Sequence, residues 1–167
     1  LVREDVMKRL SLAFLVVLVS VLALVSTSTT ALAAPATKVS FSATLQDIVT
    51  LGYERFWIDE EGAMRVRGMV VTANITGDIN GQVNITVNMN MDTSGYGDEQ
   101  VKGVITVGSE EAYRMTADIT IEAGVISSSN FVIHGMGSYK GIHITGTITP
   151  IDPTHVLLTG TKLTTKP

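Results

Sequence analysis

The alternation of apolar and polar side chains is the clearest pattern in this chain. From Val83 to Met91 every odd-numbered residue is apolar, and every even-numbered residue is asparagine or threonine. A period of two is typical of a β-strand that buries one face and exposes the other. A second run of the same kind extends from Tyr113 to Glu122. Helical periodicity is weak throughout, so the pattern predicts an all-β fold.

Turn-forming residues divide the rest of the chain into further short strands. Asn80 and Gly81, for example, supply the positive φ angles that a tight hairpin turn needs. Pro150 and Pro153 are expected to end a strand, because proline cannot donate a hydrogen bond to a sheet. The predicted strands cover residues 39–45, 53–58, 64–75, 83–91, 99–107, 113–122, 125–134, 139–149 and 155–163.

The connections between these strands limit the topology. A parallel pair needs a crossover of a dozen or more residues, and the predicted turns are much shorter. The sheet is therefore expected to be an antiparallel meander. Closure into an up-and-down β-barrel of about eight strands would remove the exposed sheet edges, so we favour the barrel over a sandwich, which remains the alternative.

The N-terminal segment has the sequence of an export signal. Lys8 and Arg9 precede an apolar run over residues 10–25, and Ala31 and Ala33 fit the small-x-small cleavage rule. Residues 1–33 are therefore predicted to be a signal peptide, residues 34–167 a single β-barrel domain, and the location secreted or on the exterior of the cell envelope. An uncleaved anchor is the alternative, although the run is shorter than the roughly 20 residues of a spanning helix.

Charge and composition narrow the range of partners. Residues 34–167 carry nine basic and fourteen acidic side chains, so their formal charge is 9 − 14 = −5. This balance argues against nucleic acid and anionic membrane surfaces as partners. An outer-membrane barrel is also disfavoured, because the segment has only eight aromatic residues and Arg114, Asp118 and Glu122 would line a narrow lumen. We expect no membrane association after signal cleavage.

Few residues suggest chemistry. The chain has no cysteine, no Gly-x-Ser-x-Gly and no His-Glu-x-x-His, so no catalytic residue and no cofactor is predicted. Asp92, Asp98 and Glu99 are weak metal candidates in an oxygen-rich loop, but their spacing does not fit a calcium-binding loop, and an ordinary polar hairpin explains them better.

The three histidines are predicted to be scattered on the surface. His134 and His143 alternate with isoleucines, which places both on the outward face of their strands, and His155 begins the last strand. A zinc site would need several of them to converge. No two share the i, i+2 spacing that places two ligands on one strand face, so no zinc site is predicted.

Aromatic and basic residues cluster in the second and third predicted strands. Tyr53, Trp57, Arg65 and Arg67, together with Tyr113, are candidates for the rim of a ligand cavity. Aromatic side chains that plug a barrel end are the simpler interpretation.

Two Asn-x-Thr triplets are candidate glycosylation sites. Asn74 and Asn84 would be modified only in a cell that glycosylates exported proteins, and Asn84 lies on the polar face of its predicted strand.

The spacing of glycines resembles a known group of barrels. The matching segments are 77–81 before an alternating strand, 92–97, 135–141 before the strand at 142–146, and Gly160 in the last strand. In these features the chain resembles the secreted members of the allene oxide cyclase-like group, which includes the dirigent proteins. The resemblance implies an eight-stranded antiparallel barrel with an apolar cavity, often dimeric or trimeric, and in plant members the cyclisation of an epoxide or the steering of radical coupling. No active-site residue can be carried over.

Three functional hypotheses follow. The first is a non-catalytic barrel whose six methionines suit a pocket for a small apolar molecule. The second is a self-assembling subunit of a surface layer or filament, in which a terminal strand such as 39–45 would complete a neighbouring copy. The third is a cyclase or isomerase, which ranks last because the predicted inner face offers no nameable acid or base.

Overall fold

The structure is a computed structural model that describes residues 36–165. Nine antiparallel strands and one short 3₁₀ turn, at Gly137–Tyr139, make up this part of the chain. The signal peptide predicted over residues 1–33 lies outside it. No helix within the described residues is long and apolar enough to cross a membrane. The strands are β1 (Thr37–Gly52), β2 (Arg55–Ile58), β3 (Met64–Gly77), β4 (Gly81–Met91), β5 (Gly97–Val107), β6 (Glu110–Glu122), β7 (Val125–Gly135), β8 (Ile142–Asp152) and β9 (His155–Thr164).

Eight of the strands close into a barrel. From β3 to β9 each strand pairs antiparallel with the next along the chain, β9 pairs with β1, and β1 pairs with β3 to complete the ring. The short strand β2 pairs only with the first part of β3 and forms an arm beside the ring. The expected antiparallel barrel is therefore confirmed, and the sandwich alternative is wrong.

The alternation in the sequence determines which side chains fill the barrel. The apolar positions of β6 are buried, whereas Arg114, Asp118 and Glu122 are exposed on the outer wall. Burial of the inward positions removes apolar surface from water and so stabilises a chain that has no disulfide. The most completely buried large side chains are Phe131, Ile75, Ile105, Met115, Ile133, Ile144, Leu158 and Val83.

Two phenylalanines fill the middle of the barrel. Phe41, Gly160, Gly146 and Phe131 are cross-strand neighbours on four successive strands. The two rings meet edge to face, with centroids 6.1 Å apart, and the glycines between them leave the inner wall free for these rings. A Cβ at Gly146 would also collide with the carbonyl oxygen of Thr159.

The eighth strand differs from its prediction at both ends. It begins at Ile142, because Tyr139 lies in the 3₁₀ turn, and it continues through Pro150 to Asp152. Pro150 pairs with Val156 of β9. Backbone groups of successive residues face alternate neighbouring strands, which directs the Pro150 nitrogen towards β7, and the β7–β8 ladder does not extend as far as Pro150. The missing N–H therefore costs no hydrogen bond, as at an edge strand.

The two ends of the barrel are built differently, and we name them by their connections. The closed end carries the loops at residues 78–80, 108–109 and 136–141. The open end carries the loops at residues 92–96, 123–124 and 153–154 and the β2–β3 arm. At the closed end Ile79, Ala112 and Tyr113 are buried and cover the barrel interior.

Candidate ligand-binding mouth

Partly exposed apolar side chains surround the interior at the open end. Met89, Met91, Ile126, Ile148 and Val156 pack against the core and are only half-buried. Each of them either pairs with a buried residue of a neighbouring strand or lies an even number of residues from one on its own strand, so each side chain faces the barrel interior. The inner wall is therefore apolar and partly exposed to solvent at this end, and we call these positions the mouth.

Glu99 places a carboxyl group on the wall of this mouth. It pairs with Met89 of β4 and with Ile119 of β6, so the three side chains project from the same face of the sheet. The buried Val101, two residues further along β5, projects from that face as well. Its side chain is half-buried and forms no hydrogen bond or ion pair with another residue of the 36–165 segment. Burial among apolar neighbours raises the pKa of the Glu99 carboxyl above its usual value.

Ser129 lies two strands away from Glu99 at the same level of the wall. It pairs with Ile119, and it is a polar side chain that is buried among the described residues. Its hydroxyl donates to the carbonyl oxygen of Ile148 and accepts from the N–H of Ile148, both at 2.8 Å. The Ser129 hydroxyl thus satisfies the N–H and the carbonyl of Ile148, which the backbone of β7 would bond if the β7–β8 ladder continued to this level.

The strands on either side of Ser129 separate towards the open end. The β7–β8 ladder contains four residue pairs, from Phe131 with Gly146 to His134 with His143. Beyond them a groove of about 460 Å³ lies between residues 126–130 and 147–150. The wall is therefore least tightly joined next to the mouth.

Three of the five predicted rim residues, Trp57, Arg65 and Arg67, lie on the β2–β3 arm at the open end, and Tyr53 lies just before β2. Trp57 packs under the guanidinium groups of Arg55 and Arg67, 4.4 Å and 5.5 Å from its ring centroid. Trp57 pairs with Arg65, which forms an ion pair of 3.1 Å with Asp59. These contacts explain the cluster as the structural core of the arm.

Two further contacts complete that cluster. Arg67 donates to the carbonyl oxygens of Val66 and Met89 and to Asn90 Oδ1, so its charge is committed to the sheet. Tyr53 is exposed and its ring lies 5.9 Å from that of Phe56, on the same arm. The arm therefore flanks the mouth, and the side chains of Arg65 and Arg67 are held in place by the contacts named above.

Tyr113 is not part of this rim. It is buried at the closed end, where its ring lies 4.9 Å from the ring of Tyr139. Burial, followed by the proximity of Tyr139, raises the pKa of its hydroxyl. Strand direction explains the separation, because Tyr113 is near the closed-end start of β6, whereas Arg65 is near the open-end start of β3.

The three predicted metal candidates Asp92, Asp98 and Glu99 do not converge. Asp92 Oδ1 accepts the N–H groups of Ser94 and Tyr96 and so shapes the loop. Asp98 contacts the amide of Asn90 on the outer wall, and Glu99 faces inward. Between residues 36 and 165 no group of three or more His, Cys, Asp or Glu side chains is arranged to hold a metal ion.

The two glycosylation candidates differ in exposure. Asn84 is exposed on the outer wall, whereas Asn74 is half-buried and donates to Asp47 Oδ2 at 3.0 Å. Asn84 is therefore the more accessible acceptor, and glycosylation of either residue stays a prediction.

Comparison with known proteins supports the fold and leaves the activity open. No protein-family model matches the chain, and no curated protein sequence matches it. The chain is similar in structure to a protein of unknown function from the DUF3224 family of Shewanella oneidensis MR-1. The TM-score is 0.57 with 14% sequence identity, over 80% of this chain and 99% of the other. At this identity the likeness concerns the barrel fold alone.

Proposed function

We propose that this protein binds a small, largely apolar molecule in the mouth of its barrel, with Glu99 as the polar anchor. The observation that carries the proposal is a carboxyl group on the inner wall with apolar neighbours on both sides. A few polar groups in an apolar concavity are what orients a small ligand. The methionines Met89 and Met91 add flexible, polarisable surface that adapts to the shape of a ligand.

The charge of Glu99 defines the chemistry of the ligand. An ionised carboxylate accepts hydrogen bonds and attracts a cation, so the ligand should carry an amine or a hydroxyl group. A partly desolvated carboxylate repels an anion more strongly than an exposed one does. An apolar amine is therefore expected to bind better than an apolar acid of the same length.

A pair of matched probes tests this proposal. Decylamine and decanoate would each compete with a neutral apolar dye, Nile red, bound to the purified protein. The wild type should bind decylamine more tightly, and Glu99→Gln should remove that preference. Asp98→Asn is the matched control, because it removes the same charge from the neighbouring residue, which faces the outer wall.

Two results would reject the proposed function. If Asp98→Asn removed the preference as fully as Glu99→Gln, the effect would come from net charge and not from the mouth. If Nile red and both probes failed to bind the folded wild type, the mouth would not be a ligand site.

Self-assembly is a second candidate, supported by a different surface. Val49, Leu51 and Val70 are exposed on β1 and β3, with Leu51 at 64% of its full accessibility. Adjoining exposed apolar residues often mark contacts between proteins. The exchange of the strand at residues 39–45 is less favoured, because β1 pairs with β9 along that stretch and then with β3. Native mass spectrometry should show multimers that Leu51→Glu dissociates.

A cyclase or isomerase remains the third candidate. Glu99 supplies an acid on the inner wall with a raised pKa, which such chemistry would use. Tyr113, which is also inward-facing and ionisable, is at the opposite end of the barrel. Membership of the allene oxide cyclase-like group and export by cleavage after Ala33 also remain proposals. N-terminal sequencing of the protein from its source tests the cleavage.

A further inference from the structure

Two histidines that are nine residues apart in the sequence lie side by side on the outer wall. His134 of β7 and His143 of β8 form the last pair of the β7–β8 ladder. Directly paired residues of neighbouring strands project to the same face, so both rings stand on the outer surface. Their Nδ1 atoms are 3.1 Å apart and their ring centroids 4.6 Å apart. The expectation of scattered histidines is therefore wrong for this pair.

The separation of the two nitrogens fits ligands of a single metal ion. With metal–nitrogen bonds of about 2.05 Å, two imidazole nitrogens lie about 2.9 Å apart at a right angle and about 3.3 Å apart at a tetrahedral angle. The observed 3.1 Å falls between these values. At this distance the Nδ1–H of one ring can donate to Nδ1 of the other, and when a cation binds both Nδ1 atoms that proton moves to Nε2 of its own ring.

We propose that His134 and His143 form a surface site for a divalent transition-metal cation, bound through both Nδ1 atoms. Imidazole suits Cu²⁺, Zn²⁺ and Ni²⁺, and Cu²⁺ binds nitrogen ligands most tightly of these. The described chain offers no third acidic, histidine or cysteine ligand here. The remaining coordination positions belong to water or to an exogenous ligand.

The neighbouring strands determine how strongly the site binds. Arg114 of β6 pairs with His134, and Leu163 of β9 pairs with His143. The positive charge of Arg114 opposes a cation and favours an anion as the exogenous ligand of that cation. Removal of this charge should therefore tighten binding of the bare metal ion.

Titration of the purified protein with ZnCl₂ in a calorimeter, and with CuCl₂ followed by electron paramagnetic resonance, tests the site. We expect one ion per chain and a copper spectrum with two nitrogen ligands. His134→Gln and His143→Gln should each weaken binding by more than about tenfold, because loss of even an outer-shell partner costs 10–100-fold. Arg114→Gln should strengthen it.

His155 provides the matched control. Its Nδ1 lies 2.9 Å from Asp152 Oδ1, and this contact, with the N–H of Thr154, lowers the pKa of Asp152 to about 2. His155→Gln should leave the affinity for zinc and copper unchanged. Equal affinity in the wild type and the His134 and His143 variants would overturn the proposal. So would imidazole ¹⁵N resonances of His134 and His143 that do not move when zinc is added to the wild type, a readout that needs no variant.

Discussion

The two ends of the barrel follow the same alternation of side chains and yet differ in what their inner walls contain. At the closed end Val83, Ile105 and Tyr113 are cross-strand neighbours and all are buried. At the open end the equivalent row contains Met89 and Glu99, which are half-buried. Alternation thus fixes which residues face inward, whereas the loops and the residue types decide whether an inward position is buried core or stays partly exposed.

A glutamate at each end illustrates the difference. Glu110 at the closed end accepts the N–H and the hydroxyl of Ser138, at 3.0 Å and 2.9 Å. These hydrogen bonds lower the pKa of Glu110, whereas burial raises the pKa of Glu99. The closed end therefore satisfies its carboxylate within the protein. At the open end the Glu99 carboxyl has no such partner among residues 36–165.

Introducing an aspartate at an inward position should destabilise the protein far more at the closed end than at the mouth, and this is the largest effect that we expect. Ile105→Asp buries a charge without a partner and should abolish folding, because the cost exceeds the stability of a typical domain of this size. Met89→Asp can remain hydrated at the mouth and should cost about 1–3 kcal/mol. Urea denaturation with circular dichroism measures both.

Asn88→Asp is the outer-wall control for this pair. Asn88 Oδ1 accepts the N–H of Gly68 at 2.9 Å, and a carboxylate can accept the same bond, so the change should stay within about 0.5 kcal/mol. A Met89→Asp variant as unfolded as Ile105→Asp would show that the mouth is closed core. An Asn88→Asp variant that unfolds would invert the assignment of inside and outside.

Ser129 should be the most sensitive polar position near the open end. Ser129→Ala leaves the N–H and the carbonyl of Ile148 without their partner and should destabilise the protein by about 2 kcal/mol. Ser128→Ala, at the exposed neighbouring residue, should have almost no effect. Hydrogen exchange of the Ile148 amide gives a second readout. Unchanged exchange in Ser129→Ala would mean that the open end does not depend on this bridge.

The alternating runs made most of the fold predictable from the sequence. The exceptions have local physical causes. The alternation predicts that the first strand ends at residue 45, yet β1 continues to Gly52. The alternation is lost there because a bulge, in which Asp47 has a φ of +55°, shifts the register between Gln46 and Val49. Pro150 lies within a strand because its nitrogen faces a gap in the ladder.

The candidate sites were harder to predict, for two different reasons. Glu99 lies an even number of residues from the buried Val101 and Ile105, so its inward position is predictable from the sequence. Grouping Glu99 with the acids of the preceding loop obscures this position. The contact between His134 and His143 depends on the register of two strands across a connection with a 3₁₀ turn. Residue spacing along one strand cannot reveal such a contact.

The pH dependence of stability should reveal Glu99. Its pKa is raised in the folded state, so the unfolded chain releases this proton first as the pH rises above about 4.5. The native state therefore loses stability with rising pH until the pH exceeds the pKa of Glu99 in the folded state. Glu99→Gln should therefore gain stability relative to the wild type across this interval and keep the gain at neutral pH. Thermal melts between pH 3 and pH 8 measure the difference. Parallel curves would show that Glu99 is fully hydrated and that the mouth does not desolvate it.

Glu110 should give the smallest effect, with the opposite sign. Its pKa is lowered by Ser138, so the folded state gains stability above the ordinary pKa of a glutamate and loses it as the pH falls. Glu110→Gln should therefore be slightly less stable than the wild type at neutral pH, with the deficit fading in acid. Solvent screens this exposed group, which keeps the effect small. Ser138→Ala should reproduce it in the same melts. If both glutamate variants instead shifted stability in the same direction, the contrast between a satisfied closed end and an open mouth would fail.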